Sequence, residues 1–129
     1  MCIRDRDFES RSGIPTRFSA SIQSINRIGT IAIGLFRIYQ ESLTNVARHS
    51  QATQVTTTLQ EQSENVILSI TDDGKGFNLE KTVSKKTLGL LGMKERTLMM
   101  GGQYQIISRP GNGTKVIVTV PLPLPELVQ

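Results

Sequence analysis

Two acidic residues and two glycines stand together in Asp72-Asp73-Gly74-Lys75-Gly76-Phe77, directly after the strand-like run 66–71. A turn of this composition can aim a carboxylate and bare backbone at a ligand. Asp72 suits the exocyclic amine of a base, and Gly74 and Gly76 let backbone approach a flat ring closely. The same residues also suit a tight surface turn whose glycines supply only positive φ. The oxygen spacing of a calcium loop is absent.

Three further groups have chemical types at useful spacing. Glu41, Asn45 and His49 recur every four residues, so on a helix they stack along one flank, with Arg37 one turn earlier. An asparagine oxygen ligates a hard cation such as Mg²⁺. A carboxylate at Glu41 can take a proton from a nucleophile near phosphate. His49 can meet phosphate or simply favour a helix C-terminus. An ordinary solvated flank has this pattern too. Gly89-Leu90-Leu91-Gly92 falls at the start of a second helical pattern, where free amides and the helix dipole favour phosphate. It is neither a Walker loop nor a G-x-G-x-x-G fingerprint. Lys85, Lys86, Lys94 and Arg96 bring positive charge nearby, or merely solubility. Gly111-Asn112-Gly113-Thr114 reads first as a hairpin turn.

The elements that must position these groups follow from periodicity. Alternation over 16–22 predicts a strand carrying Phe18, Ala20 and Ile22 on one side. A helix is predicted over about 34–50, with Leu35, Phe36, Tyr39, Leu43, Val46 and Ala47 on its core face. Gly29 and Gly34 weaken the pattern before it. Strands are predicted over 54–60 and 65–71, joined as an antiparallel hairpin with Val66, Leu68 and Ile70 facing one way. The polar, lysine-bearing stretch 78–86 reads as a mobile loop. A helix over 88–100 follows, with Leu90, Met93, Thr97 and Met100 in one line and Gly101-Gly102 as its stop. Strands over 103–109 and 115–120 close the chain around the turn at 110–113. The proline-rich end from Pro121 is expected to leave the sheet. Strand, helix, hairpin, helix and hairpin assemble most simply as an α/β two-layer sandwich. Its sheet is mixed and mostly antiparallel, with both helices on one face and residues such as Thr56, Thr58 and Thr119 on the other.

Composition narrows the function classes. The chain has 129 residues, enough for one domain with one core: a lead-in at 1–15, a folded region at 16–122 and a tail at 123–129. Apolar residues are 37% and charged residues 20%, the balance of a globular domain rather than a disordered one. Cys2 stands alone, so neither an internal disulfide nor a thiolate metal site is expected. No apolar stretch nears membrane-spanning length and no secretory pattern opens the chain, so direct membrane contact is not expected. The chain can still be part of a membrane-tethered protein. A net charge of +4 favours anionic ligands, but the basic residues are scattered and aromatics are only 5%, which argues against nucleic-acid binding.

In order, the four groups carry more than each does alone. The words 36–52, from Phe36 through Glu41, Asn45 and His49 to Ala52, then 72–77, then Gly89-Leu90-Leu91-Gly92-Met93-Lys94-Glu95-Arg96, then Gly111-Asn112-Gly113-Thr114, resemble the ATP-binding catalytic domain of two-component sensor histidine kinases. That domain belongs to the superfamily of gyrase, Hsp90 and MutL. The flanking words are most similar to the nitrate-responsive and LiaS- or DesK-like subclass.

The resemblance covers roughly 16–122 and implies a Bergerat-type fold and a set of roles. Glu41 would stand beside the reacting phosphate, Asn45 would ligate Mg²⁺, and His49 would lie near the phosphates. Asp72 would bind the adenine amine over a floor shaped by Gly74 and Gly76. Gly89, Leu91, Gly92 and Met93 would border the lid and phosphates, and Gly111, Gly113 and Thr114 would support the adenine side. The implied reaction moves the γ-phosphoryl group of ATP to a histidine on a dimerisation domain, and onward to a response regulator receiver domain. The implied setting is cytoplasmic, with a homodimeric parent and a monomeric isolated domain. His49 is the chain's only histidine and already lies in the ATP-site helix, so the acceptor histidine is expected elsewhere. The phenylalanine-rich box of the commonest histidine kinases is missing from 78–87. Two other readings share these residues: a serine kinase or ATPase of the same superfamily, and a non-catalytic nucleotide-binding module.

Overall fold

The computed structural model describes residues 14–23, 25–47, 51–76 and 85–123. Five strands and two helices alternate along it: β1 (Thr16–Ser21), α1 (Ile25–Asn45), β2 (Val55–Gln62), β3 (Asn65–Asp72), α2 (Lys85–Met99), β4 (Gln103–Ser108) and β5 (Thr114–Pro121). The strands form one sheet in the order β1-β2-β3-β5-β4. Only β1 and β2 run parallel, and the other three pairings are antiparallel.

Period-two alternation decides which face is covered. Val55 and Thr57 on β2, Val66, Leu68 and Ile70 on β3, and Val116, Val118 and Val120 on β5 are all buried. Their neighbours Thr56, Thr58 and Thr119 lie half-buried on the other face, as the alternation predicts. Both helices pack on the valine-rich face, giving the two-layer α/β sandwich. Thr57 and Tyr104 bring hydroxyls into this layer without hydrogen-bond partners among the described residues, and burial pushes the Tyr104 phenol up to about 12.

Helix α1 begins nine residues before its predicted start, at Ile25 rather than Gly34. The glycines that weaken its first half are outweighed by Ile28 and Ile31, which join Leu35, Ile38, Tyr39, Leu43 and Val46 in the core. Gly34 allows a close approach, because a Cβ there would lie 2.6 Å from Met100 Sδ. Phe36 and Ala47, expected on the core face, are exposed, and Ile38 is fully buried in their place. The ring of Phe18 on β1 meets Tyr39 edge-on at 5.7 Å between centroids. The backbone widens to a π turn at 46–47.

The direction of each helix matters for the site. Near its start, α1 is tied to one end of the sheet. Arg27 pairs with Glu64 at 2.6 Å, beside the β2–β3 turn, and its Nε donates to the Pro123 carbonyl at 2.9 Å. A helix of 21 residues spans about 31 Å, more than the length of an eight-residue strand. The C-terminal turn of α1 therefore reaches the opposite end of the sheet, where β2 and β5 begin and β3 ends. Helix α2 runs antiparallel to α1, since Met100 meets Gly34 while Met93 accepts a hydrogen bond from the Ser42 hydroxyl at 3.2 Å. Its N-terminus thus arrives at the same end. At its other end α2 stops as expected: Gly101 has φ 75°, and the amides of Gly101 and Gly102 return to the carbonyls of Leu98 and Thr97.

The sheet extends slightly further than the proline at 121 predicts. Pro121 is the last residue of β5, paired with Asn65, and Leu122 is buried with its amide bonded to the Glu64 carbonyl. Among the described residues, no helix is long and apolar enough to cross a membrane.

Candidate nucleotide-binding site

One row of side chains crosses the whole sheet at the end where the helices converge. Thr16, Val55, Asp72, Thr114 and Ser108 are aligned in register on β1, β2, β3, β5 and β4. Thr16, Val55, Asp72 and Ser108 are buried and Thr114 half-buried, so the row lies on the helix-covered face. The alternation of β3 places Asp72 inward there and turns Asp73 out.

The two acidic residues do different work. Asp72 is 7% exposed, and its Oδ1 accepts the Gly74 amide at 2.8 Å, an Asx-type bond that holds the carboxylate at the strand end. Asp73 clamps the segment before β2, accepting from the Thr53 hydroxyl and from the amides of Thr53 at 2.7 Å and Gln54 at 3.0 Å. The Thr53 hydroxyl first, and then these amides, hold the Asp73 carboxyl below its ordinary range.

The glycines join the two loops rather than standing open. Gly76 has φ 63°, and a Cβ there would lie 2.0 Å from the Arg109 carbonyl oxygen. Gly113 has φ 72°, and a Cβ there would lie 2.2 Å from the Asp72 carbonyl oxygen. Between them the Gly111 amide donates to the Lys75 carbonyl. Gly74 is buried beside Asp72, while Gly111 is an open turn residue where a Cβ would meet nothing within 4 Å. Both loops are thereby locked into a single platform behind Asp72 and Thr114. Ser108, which the motif reading missed, completes it: its hydroxyl donates to the Gly113 carbonyl at 3.0 Å and lies 2.8 Å from the Thr114 hydroxyl.

Glu41 and Asn45 are half-buried on the last turns of α1. The Asn45 Nδ2 is buried with no hydrogen-bond partner among the described residues. An orphaned donor in a packed core calls for a partner from outside, and a phosphate oxygen is such a partner. The oxygen of the same amide is a hard donor of the kind Mg²⁺ takes. Among the described residues no cluster of three His, Cys, Asp or Glu side chains gathers around a metal position. His49 lies outside the described residues, as do 77–84, which hold most of the stretch expected to be a loop.

Helix α2 starts at Lys85, three residues before its predicted start. Gly89, Leu91, Gly92 and Met93 therefore lie beyond the first turn, with their amides inside the helical ladder. The amides that lack intrahelical acceptors are upstream of Gly89. Leu91 is 51% exposed, whereas Met93 is 1% exposed and packs on Ser42, so the Met93 side chain serves the core. Arg96 lines a groove of about 290 Å³ with Arg37, Gln40, Glu41 and Thr44 on α1.

Comparison with known proteins agrees with this architecture. Residues 30–124 match the family model of histidine kinase-, DNA gyrase B- and HSP90-like ATPases. The chain is 37% identical over 120 residues to the sensor protein VraS of Staphylococcus haemolyticus, covering 93% of this chain and 34% of that protein. VraS of Staphylococcus aureus strain COL is 36% identical over the same length. The chain thus spans about a third of the length of these relatives. In fold it is similar to the histidine kinase AdeS of Acinetobacter baumannii, with TM-score 0.69 and 18% identity over 92% of this chain and 59% of that one. The histidine kinase domain of the Erythrobacter litoralis EL346 blue-light activated kinase gives TM-score 0.66 and 18% identity, over 92% and 57% of the two chains. The match over 30–124, about three quarters of the chain, makes it a member of the histidine kinase-, DNA gyrase B- and HSP90-like ATPase family.

Proposed function

We propose that this chain is the ATP-binding catalytic part of a sensor histidine kinase. It would pass the γ-phosphoryl group of ATP to a histidine on a dimerisation domain, for onward transfer to a response regulator receiver domain. The observation that carries this reading is the convergence of α1, α2 and the Asp72–Thr114 row on one end of the sheet. Similarity to the sensor protein VraS supports the same reading.

Each residue has a task in it. Asp72, oriented by the Gly74 amide, accepts the adenine amine. Thr114, braced by Ser108, forms the neighbouring edge of the base pocket. Gly74, Gly76, Gly111 and Gly113 hold that platform rigid, which spares the ordering cost on binding. The amides of the first turn of α2, upstream of Gly89, Leu91 and Gly92, orient phosphate. Asn45 donates to a phosphate oxygen and would hold Mg²⁺, which when bound neutralises phosphate charge. Glu41, one turn back, polarises or deprotonates the incoming nucleophile. His49 completes the phosphate side. The folded unit is assigned to 16–122, in the cytoplasm, as part of a homodimeric parent; the isolated unit is assigned as a monomer.

Calorimetry with ADP tests the assignment. Asp72→Ala should raise the Kd at least tenfold with Mg²⁺ or EDTA alike, since an adenine contact is lost. Asn45→Ala should weaken binding in EDTA only by the lost phosphate hydrogen bond, a few-fold, and abolish the gain that Mg²⁺ brings. An unchanged Kd for Asp72→Ala would remove the basis for the proposal.

A further inference from the structure

A cavity of about 160 Å³ lies between α1 and the sheet edge that β1 forms. Leu59 and Leu68, directly opposite each other on β2 and β3, floor it together with Phe18 of β1. Ala32 and Phe36, both exposed on α1, stand at its mouth. Deeper in, the α1 wall includes Leu35 and Tyr39, which belong to the buried core with Leu68. Closing the cavity would require that core to repack, so part of the space persists at a cost in stability. Neither Asp72 nor Asn45 borders it. Along α1, Phe36 is nine residues before Asn45, about 14 Å along the axis.

The chemistry of the wall decides what can occupy the space. Its lining is hydrocarbon throughout: Tyr39 contributes its ring, which the Phe18 ring meets edge-on. A buried water needs two to four polar partners and finds none here. A charged or strongly hydrogen-bonding molecule would give up hydration without replacement. A segment of chain brings amides and carbonyls that need partners in the same way. An uncharged apolar molecule alone loses nothing on entry. Volume sets its size, because an apolar cavity of about 150 Å³ stays dry and takes up benzene. The rings of Phe18, Phe36 and Tyr39 favour an aromatic occupant, through edge-to-face and offset contacts.

We infer that this cavity is a second binding site, separate from the nucleotide site, for an uncharged apolar molecule with one aromatic ring. The inference stands on the cavity's volume and wall and does not depend on the kinase reading. Its strength is set by burial of one hydrocarbon ring, which supports a Kd of about 1 mM or tighter. Its selectivity is against charge, since the wall has nothing with which to pair one.

The test is fluorine NMR of fluorobenzene with the full chain. The parent chain should take it up, while benzoate and benzylamine, which carry the same ring with a charge, should bind at least about tenfold more weakly. L59F puts a ring into the cavity from the sheet and should abolish uptake; A32F should do the same from α1. L98F makes the same change as L59F at an exposed residue of α2 and should leave uptake as it is in the parent chain. No uptake by the parent chain overturns the inference, as does equal binding of benzoate. Uptake that survives in both L59F and A32F, or is lost equally in L98F, overturns it too. Release of fluorobenzene by saturating ADP would put the molecule in the nucleotide site. Uptake that falls as protein concentration rises would give the cavity to a second copy of this chain. Either of these results also overturns the inference.

Discussion

Adjacent residues of one type end with opposite duties at Asp72 and Asp73. Asp72 turns under the helices, while Asp73 turns out and fastens the 53–54 segment to the end of β3. Strand alternation makes this split legible in sequence, but the partners of Asp73 are nineteen and twenty residues away and carry no local signal. The clamp has a pH signature. The folded carboxyl lies below its unfolded value, so the unfolded chain binds the extra proton and the clamp's stabilisation is present above about pH 4. It is lost as pH falls through the lower folded value. The difference in urea midpoint between the parent chain and Asp73→Asn should be constant from pH 5 to 7 and shrink below pH 4. A difference that does not change with pH would show that the clamp acts without its charge.

Elements behave as units because their loops interlock. The turn after β3 and the turn between β4 and β5 meet through Gly76 and Gly113, whose missing side chains admit carbonyl oxygens of the other loop. Gly113→Ala combines positive φ with a backbone collision and should cost about 2–4 kcal/mol in chemical denaturation. Gly111→Ala, with φ 84° but open space, should cost only about 1 kcal/mol. Equal costs would mean that backbone conformation, and not loop contact, governs both. The glycine words mark both turns in sequence. That they face each other follows only from the β3–β5 register, which sets Asp72 opposite Thr114. Helix starts were less legible. Burial of Ile28 and Ile31 carried α1 through two glycines, and α2 began at Lys85, so the amides without intrahelical acceptors lie upstream of Gly89.

At the scale of the whole molecule, one apolar layer holds both helices over the sheet and so holds the two halves of the site together. Ile38 has no exposed surface and lies mid-helix within that layer. Ile38→Ala should destabilise the chain by about 3 kcal/mol, whereas Ile33→Ala, at a residue 70% exposed, should stay within about 0.5 kcal/mol. Thermal unfolding separates the two, and similar losses would mean that the core is not where burial puts it. The sequence by itself determined the element order, the covered face of each strand, and the four words that carry the family resemblance, because periodicity and turn chemistry are local. Tertiary structure alone decided that Asp72, Thr114 and Ser108 share a row, and that α2 returns antiparallel beside α1. It also set Arg96 against Arg37 and Glu41. Those relations depend on strand register and helix packing between residues far apart in the chain, where no local preference reaches. The acidic-glycine run was readable as a turn; the sheet end it belongs to was visible only in the fold.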